Sequence, residues 1–295
     1  MRTTLKMKKK IPLIILFLIG LSEVMVAQVV HFSDTKFKSL LVENEEINTN
    51  KDKDIQTSEA IAFRGNIKIG FEGLTSLDGI EAFVNLKGLW CNSNKLTVLD
   101  ISKNTRLTQL WCWGNSITHL DLTKNITLTT LVCYSNKLAS LDISKNKVLT
   151  IVQCGQNPIK HLNTHHNEEL KELYCDNNQL IKLDVSKNIY LVKLFCFGNK
   201  LTHLDVSKNW GLTSLNFVKN DITSLDISKN IQLSELNCSQ TQLSTLNISK
   251  NTNLKMLTAE GCVNLKSICV ADIALASNQK AFRKEQQVAW VNKCK

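Results

Sequence analysis

The sequence predicts a mostly β solenoid in which every turn contains 21 residues and contributes short parallel strands to both sides of the coil. Leucine recurs every 21 residues from Leu86 to Leu254, and a second leucine row, interrupted only by Val152, follows three residues later. Asparagine recurs at the same interval, without exception, from Asn104 to Asn251. A fixed period of this kind is typical of repeat proteins whose units stack on their nearest neighbours.

Each unit also contains two similar halves. The segment LTQLWCWGN (107–115) is followed by ITHLDLTKN (117–125), so both halves have leucine or isoleucine, a short alternating stretch and then asparagine. Alternation with a period of two predicts a strand, and asparagine is suited to bond the backbone of the bend that follows. We call the halves with cysteine the first ribbon and the halves with aspartate the second ribbon, and expect neighbouring turns about 4.8 Å apart.

The first 27 residues have the pattern of a secretory signal. Basic residues between Arg2 and Lys10 precede an apolar run from Ile11 to Leu21, and Ala27 is a plausible cleavage residue. The run is shorter than the roughly 20 residues of a membrane-spanning helix, and no later segment resembles one. Without this segment the net charge falls from +10 to +6 and the lysines are evenly spaced. We therefore expect an exported protein that does not bind nucleic acid.

Three parts are predicted after the signal: an N-terminal cap over 28–85, a solenoid of about nine turns over 86–268, and a C-terminal cap over 269–295. Caps are needed because terminal turns otherwise expose core and open strand edges. Residues 34–41 predict an amphipathic helix with Asp34 near its N-cap. At the other end we expect a helix within 278–293, held by a disulfide between Cys269 and Cys294 that an oxidising compartment would favour.

The segment NTNKDKDIQTSE (48–59) partly matches a calcium-binding EF-hand loop. Oxygen-bearing side chains occupy positions 1, 3, 5, 7 and 12 of that loop: Asn48, Asn50, Asp52, Asp54 and Glu59. Asparagine at position 1 and two lysines depart from the pattern, so either a weak calcium site or a solvated polar loop is consistent with the sequence. Calcium is the sole cofactor that the sequence suggests.

Strand alternation assigns an outward direction to a set of aromatic residues on the first ribbon. They share one face over the first five or six turns: Trp90, Trp111, Trp113, Tyr134, Tyr174, Phe195 and Phe197. Rings stacked along a sheet add stability, whereas an exposed aromatic stripe marks a recognition surface. We favour recognition and predict this face as the ligand-binding surface.

The remaining repeated positions favour structural roles. The cysteine column also contains Phe217 and Ala259, which indicates an apolar inward position in which thiols act as packing. Aspartates of the second ribbon recur beside serine or threonine and lysine, as in a solvated ladder. The exceptional unit 161–170 contains His161, His165 and Glu168, but its histidines are too far apart along an extended chain to share one metal ion easily. No residue set supports catalysis.

These repeats resemble the leucine-rich repeat family, specifically the 21-residue nested, cysteine-containing type of secreted proteins from Bacteroidetes-like bacteria, and distantly the internalins. The resemblance covers 31–294 and includes the entry segment SLDGIEAFVNLKGLWC (76–91). It implies a solenoid with a binding role and no particular ligand. We therefore expect an exported, non-catalytic module, at the cell surface, secreted or periplasmic, that recognises a protein or a glycan. The alternative is a structural or self-associating surface protein.

Overall fold

The computed structural model describes residues 28–294, so the predicted signal at 1–27 lies outside the described residues. The chain forms helices α1 (Thr35–Val42), α2 (Thr57–Ala62) and α3 (Ile273–Asn278), with a 3₁₀ turn at Ile80–Ala82. Its strands, in chain order, are β1 Asn66–Lys68, β2 Gly88–Trp90, β3 Gln109–Trp111, β4 Thr130–Val132, β5 Ile151–Gln153, β6 Glu172–Tyr174, β7 Lys193–Phe195, β8 Ser214–Asn216, β9 Glu235–Asn237, β10 Thr245–Asn247, β11 Met256–Ala259, β12 Ser267–Cys269, β13 Phe282–Lys284 and β14 Ala289–Val291.

An 11-stranded parallel sheet runs along the first ribbon, in the order β1 to β9, then β11 and β13. Its register follows the sequence period: Leu110 is opposite Leu89 on one side and Leu131 on the other. Each strand pairs with the strand one turn away, so the molecule is a parallel solenoid with the leucine-rich repeat fold. No helix among the described residues is long and apolar enough to cross a membrane.

The inward positions of both ribbons form one continuous core. Leu89, Leu110 and Leu131 are fully buried, and the seven cysteines of the column are buried free thiols between these leucine layers. Phe217 and Ala259 occupy the same column and are equally buried. The column therefore accepts side chains of different size and chemistry, as expected of a packing position.

The two asparagine rows connect each turn to the one before it. In the first row, the Asn115 amide donates to the carbonyls of Cys91 and Cys112, and its Oδ1 accepts the N–H of Leu96. In the second row, the amide of Asn125 donates to the carbonyls of Ile101 and Asn104. The predicted bonding of asparagine to the backbone of the bend is confirmed. Most of the asparagine bonds, however, join one turn to the preceding turn.

The prediction of a strand on both sides of every turn is wrong for the second ribbon. Within the described chain, its strands are β10, β12 and β14, which form a three-stranded sheet at the C-terminal end. In the earlier turns of this ribbon, buried asparagine amides donate to backbone carbonyls of the preceding turn and so provide the hydrogen bonds between turns. In this three-stranded sheet, successive turns are offset by 22 residues instead of 21, as between Leu246 and Ile268.

The two ends are closed in different ways. Helix α1 is confirmed, with Asp34 Oδ1 accepting the N–H groups of Lys36 and Phe37 at 3.0 and 3.2 Å. The expected C-terminal helix within 278–293 is wrong: the helix lies at Ile273–Asn278, and β13 and β14 follow it. These strands pair with β11 and β12, whose edges would otherwise be open. A disulfide joins Cys269 to Cys294, with 5.6 Å between their α-carbons.

Candidate functional site

The seven predicted aromatic residues lie on the outward face of the first ribbon, alternating with buried positions such as Leu110 and Cys112. All seven are partly exposed. Trp113 and Tyr134 are stacked, with ring centroids 5.1 Å apart and planes at 8°. Trp90 and Trp111 are tilted at 6.1 Å, and Tyr174 meets Phe195 edge to face at 5.0 Å.

Phe71 belongs to this face, although the repeat pattern does not identify it. The residue is 72% exposed, and its ring packs edge to face against Trp113, with centroids 5.6 Å apart. Phe71 lies in the entry turn, outside the regular columns, and has a φ of 65°. Its position in the glycine-flanked segment GFEG (70–73) is the signal that could have indicated an exposed aromatic at a turn.

The aromatic residues form two clusters separated by smaller side chains. The N-terminal cluster contains Phe71, Trp90, Trp111, Trp113 and Tyr134, and the central cluster contains Tyr174, Phe195 and Phe197. Between them lie Val132, Gln153 and Gly155 in the same outward columns. Beyond the central cluster the columns change to Asn216, Asn237 and Thr258, so the aromatic face ends after β7.

Charge is distributed unevenly along this face. The twelve outward positions of β2 to β5 and the residues just after these strands include no acidic or basic side chain. At β6 and β7, Lys193 pairs with Glu172 at 3.1 Å, and the Tyr174 hydroxyl donates to Glu172 at 2.9 Å. The bond from Lys193 to Glu172 raises the pKa of the Lys193 ammonium.

Trp111 has an unusual environment within the N-terminal cluster. Its indole N–H is buried and has no hydrogen-bond acceptor. A buried donor without a partner costs about 1–3 kcal/mol, and a phenylalanine would avoid that cost. The larger area that tryptophan buries relative to phenylalanine is set against this cost.

The 48–59 loop is closed by its own hydrogen bonds. Glu59 Oε1 accepts the N–H groups of Thr49 and Asn50, at 2.8 and 3.2 Å, and its Oε2 accepts that of Gln56 at 3.0 Å. Asp52 accepts the N–H of Asp54. These carboxylate oxygens are thus engaged with the loop itself.

The other predicted calcium ligands have separate surroundings. Asp54 pairs with Lys38 of α1, and Asn50 donates to Asp52 and Gln56. Asn48 Oδ1 is buried without a partner. Among residues 28–294, no group of three or more His, Cys, Asp or Glu is arranged to hold a metal ion. Calcium binding by Asn48, Asn50, Asp52, Asp54 and Glu59 stays a prediction.

The second ribbon carries the aspartate ladder. Asp100 and its equivalents accept the N–H of the residue two positions later, at 2.8–2.9 Å. This bond is the main cause that lowers the pKa of Asp100.

In the exceptional unit, the rings of His165 and His166 meet edge to face at 5.4 Å. The buried Thr164 hydroxyl is 2.7 Å from Asn188 Oδ1, to which it donates.

Comparison with known proteins places this geometry among leucine-rich repeat structures. No protein-family model matches the chain, and no curated protein matches it. The chain is similar to the functional domain of InlJ from Listeria monocytogenes, which includes a cysteine ladder. Sequence identity is 27%, the match covers 90% of this chain and 72% of that one, and the TM-score is 0.51.

Two further solved structures share the fold. An internalin (inlF) of Listeria monocytogenes is 18% identical over 92% of this chain and 95% of its own, with a TM-score of 0.69. A leucine-rich repeat protein of Leptospira interrogans is 20% identical over 75% and 70%, with a TM-score of 0.56. The predicted leucine-rich repeat fold, of the kind found in bacterial proteins, is confirmed. The Bacteroidetes-like type and export stay predictions.

Proposed function

We propose that this chain is an exported, non-catalytic recognition module that binds a protein or glycan ligand through the outward face of the 11-stranded sheet. The observation that carries the proposal is the concentration of partly exposed rings on this face as far as β7, followed by Asn216, Asn237 and Thr258 on the later turns. The solenoid is equally well paired in both regions, so its stacking does not require the rings.

The chemistry of the face supports recognition over stacking alone. Aromatic side chains are enriched in the energetic centres of interfaces because they bury a large area at low entropic cost. The ring contacts at 5.0–6.1 Å hold the side chains in place before a ligand arrives. Export is inferred from residues 1–27, and leucine-rich repeat neighbours support an interaction role.

The test compares a variant of the face with a variant outside it. Trp111→Ala combined with Phe195→Ala should abolish ligand capture on a glycan array or in a pull-down from host extracts. The double variant should remain folded with a moderately lower melting temperature, because each ring loses its contact with a neighbouring ring. The control is Trp210→Ala, since Trp210 is 57% exposed but lies off this face. Retained capture by the double variant, or equal loss in the control, would refute the proposal.

Self-association is a second candidate function, favoured by a separate apolar patch. Three consecutive turns carry large hydrophobic residues on the bend that leads into the first ribbon. These residues are 42–57% exposed: Ile189, Tyr190, Trp210 and Ile231. Patches of this kind mark interaction surfaces. Sedimentation of the wild type as a dimer or larger species that becomes a monomer in Trp210→Ser would favour this function. A monomeric wild type at high concentration would exclude it.

A further inference from the structure

A gap interrupts the aromatic face at Gly155. Five consecutive turns place Trp113, Tyr134, Gly155, Asp176 and Phe197 in one outward column. Backbone hydrogen bonds of 2.7–3.0 Å connect all five turns: the N–H of the residue after each column member donates to the carbonyl of the next member. Tyr134 stacks on Trp113 with nearly parallel planes, so its other ring face is directed towards the turn of Gly155. Glycine has no side chain to cover that face.

The carboxylate of Asp176 leans into this gap. A β-carbon at Gly155 would lie 2.6 Å from Asp176 Oδ1 and 2.8 Å from Oδ2, so the carboxylate occupies the space that a side chain would fill. Asp176 is half-buried, and its side-chain oxygens accept one hydrogen bond, from Asn177 at 3.0 Å. None of the ion pairs among residues 28–294 includes Asp176.

This arrangement leaves a negative charge with little compensation. Burial raises the pKa of the Asp176 carboxyl, because the charged form loses solvation without gaining a cation. The face of an aromatic ring is itself electrostatically negative. Asp176 lies two turns from Tyr134 in the same column, so a cation between the two turns would interact favourably with both groups.

We propose that Tyr134, Gly155 and Asp176 form a subsite for the guanidinium group of an arginine side chain on a protein ligand. A guanidinium is planar, so it can lie against the open face of Tyr134 while its N–H groups pair with Asp176. Glycine at 155 allows the carboxylate to take this position, because a β-carbon there would displace it. The inference rests on the proposed function, since it assigns one ligand group to the same face.

A neutral glycan is a less suitable occupant of this gap. Sugar hydroxyls can donate to a carboxylate, but they would leave its charge uncompensated on a half-buried site. The rings of the N-terminal cluster can accept apolar parts of a protein ligand on one side of the subsite, and the central cluster can do so on the other. The subsite would then fix the register of a protein ligand along the solenoid axis.

The experiment uses the intact chain and two small probes that differ in charge. N-acetyl-arginine amide is titrated while the tyrosine and tryptophan ring signals are followed by NMR, and the neutral isostere N-acetyl-citrulline amide is the matched probe. We expect a saturable shift of the Tyr134 signals with the arginine probe. Its affinity should exceed that of the citrulline probe about tenfold, from cation–π and ion-pair contributions together.

Three variants test the residues. Asp176→Asn should weaken the arginine probe about five- to tenfold, and Gly155→Ala should weaken it too, because the new methyl displaces the carboxylate. Glu260→Gln is the control, since Glu260 shares the column but follows Ser239 and has no aromatic neighbour there. It should bind like the wild type. Circular dichroism melting checks that each variant is folded.

The outcomes separate this proposal from the proposed function. Equal binding of the two probes, equal affinity in Asp176→Asn, or no saturable shift in the wild type would overturn the arginine subsite. A neutral disaccharide such as cellobiose that shifts Tyr134 independently of Asp176 would assign the gap to a glycan instead. In each of these cases loss of capture by the Trp111/Phe195 double variant would still support recognition by the aromatic face.

Discussion

The two ribbons bury the same kind of side chain but differ on their outward surfaces. On the second ribbon, aspartate, serine or threonine, and lysine recur from turn to turn, and each aspartate binds the backbone of its own turn. On the first ribbon the outward columns change from tryptophan to tyrosine, glycine, aspartate and phenylalanine. Strand pairing holds that side together whatever these residues are.

This difference shows how to separate structural from functional repeats in such a solenoid. Outward residues whose hydrogen bonds close on their own turn are explained by the fold. The outward rings of the first ribbon make no such bonds to the backbone, so the fold leaves them free to vary. Binding is therefore expected on the variable ribbon, and most perturbations of the second ribbon should change stability alone.

The largest expected effect is alkaline destabilisation through the inward cysteines of the first ribbon. Burial raises the pKa of Cys112, Cys154 and Cys196 to about 12, so these thiols stay protonated when folded. The unfolded chain releases its thiol protons near the ordinary value of 9.0. Their contribution to stability is thus complete below pH 9 and is lost as the pH rises towards 12.

Urea unfolding at pH 8 and pH 10 measures this effect. The free energy of unfolding should be clearly lower at pH 10, and the difference should shrink in Cys154→Ala, which removes one titrating thiol. The loss of stability of Cys154→Ala at pH 8, where the thiol is protonated in both states, measures the cost of the cavity alone and serves as the control. A pH dependence unaltered by removal of the thiol would contradict this account.

Loss of one second-ribbon amide should have the next largest effect. The Asn146 amide donates to the carbonyls of Leu122 and Asn125 at 3.1 and 2.8 Å. Asn146→Ala should therefore lower the free energy of unfolding by about 2–3 kcal/mol, since two buried carbonyls lose a donor. The partly exposed Asn216 of the first ribbon is the matched control, and Asn216→Ala should cost well under half as much. Equal losses would remove the proposed contrast between the ribbons.

A smaller effect is expected at Thr164. Asn188 Oδ1 accepts a hydrogen bond from the Thr164 hydroxyl. Two turns later, Val206 stands in the place of Thr164, and Asn230 Oδ1 is buried without a hydrogen-bond partner. Thr164→Val should cost about 1–2 kcal/mol by leaving Asn188 Oδ1 unpaired. The reciprocal change Val206→Thr should be nearly neutral, because it supplies Asn230 with a donor. Chemical denaturation of both variants measures this, and a large loss in Val206→Thr would show that the hydroxyl is not placed as in the Thr164 turn.

The smallest stability effect is expected on the outward face of the first ribbon. Trp111→Phe removes the unpartnered indole N–H together with some buried area, so the free energy of unfolding should change by less than about 1 kcal/mol. Ligand capture should nevertheless weaken. Trp113→Phe, at a stacked ring, is the comparison. Strong destabilisation by Trp111→Phe with unaltered capture would instead indicate a structural role for the ring.

Much of this structure follows from the sequence period. A repeat of 21 residues fixes which residue lies one turn away, so the positions of Leu110, Cys112 and Asn115 could be predicted. The outward direction of the aromatic residues follows from the same alternation. The Asp34 cap could also be predicted, because a side-chain oxygen beside a helix start bonds the nearest free N–H groups.

Tertiary structure decided what the period leaves open. The sequence by itself determined the solenoid, its register and which side chains face outward, because these depend on spacing that every turn repeats. Only the folded chain showed that Phe71 joins the N-terminal cluster, that Asp176 leans over Gly155, and that the last turns close with β13 and β14. Each depends on contacts between unlike residues at single places, where no repetition constrains the packing.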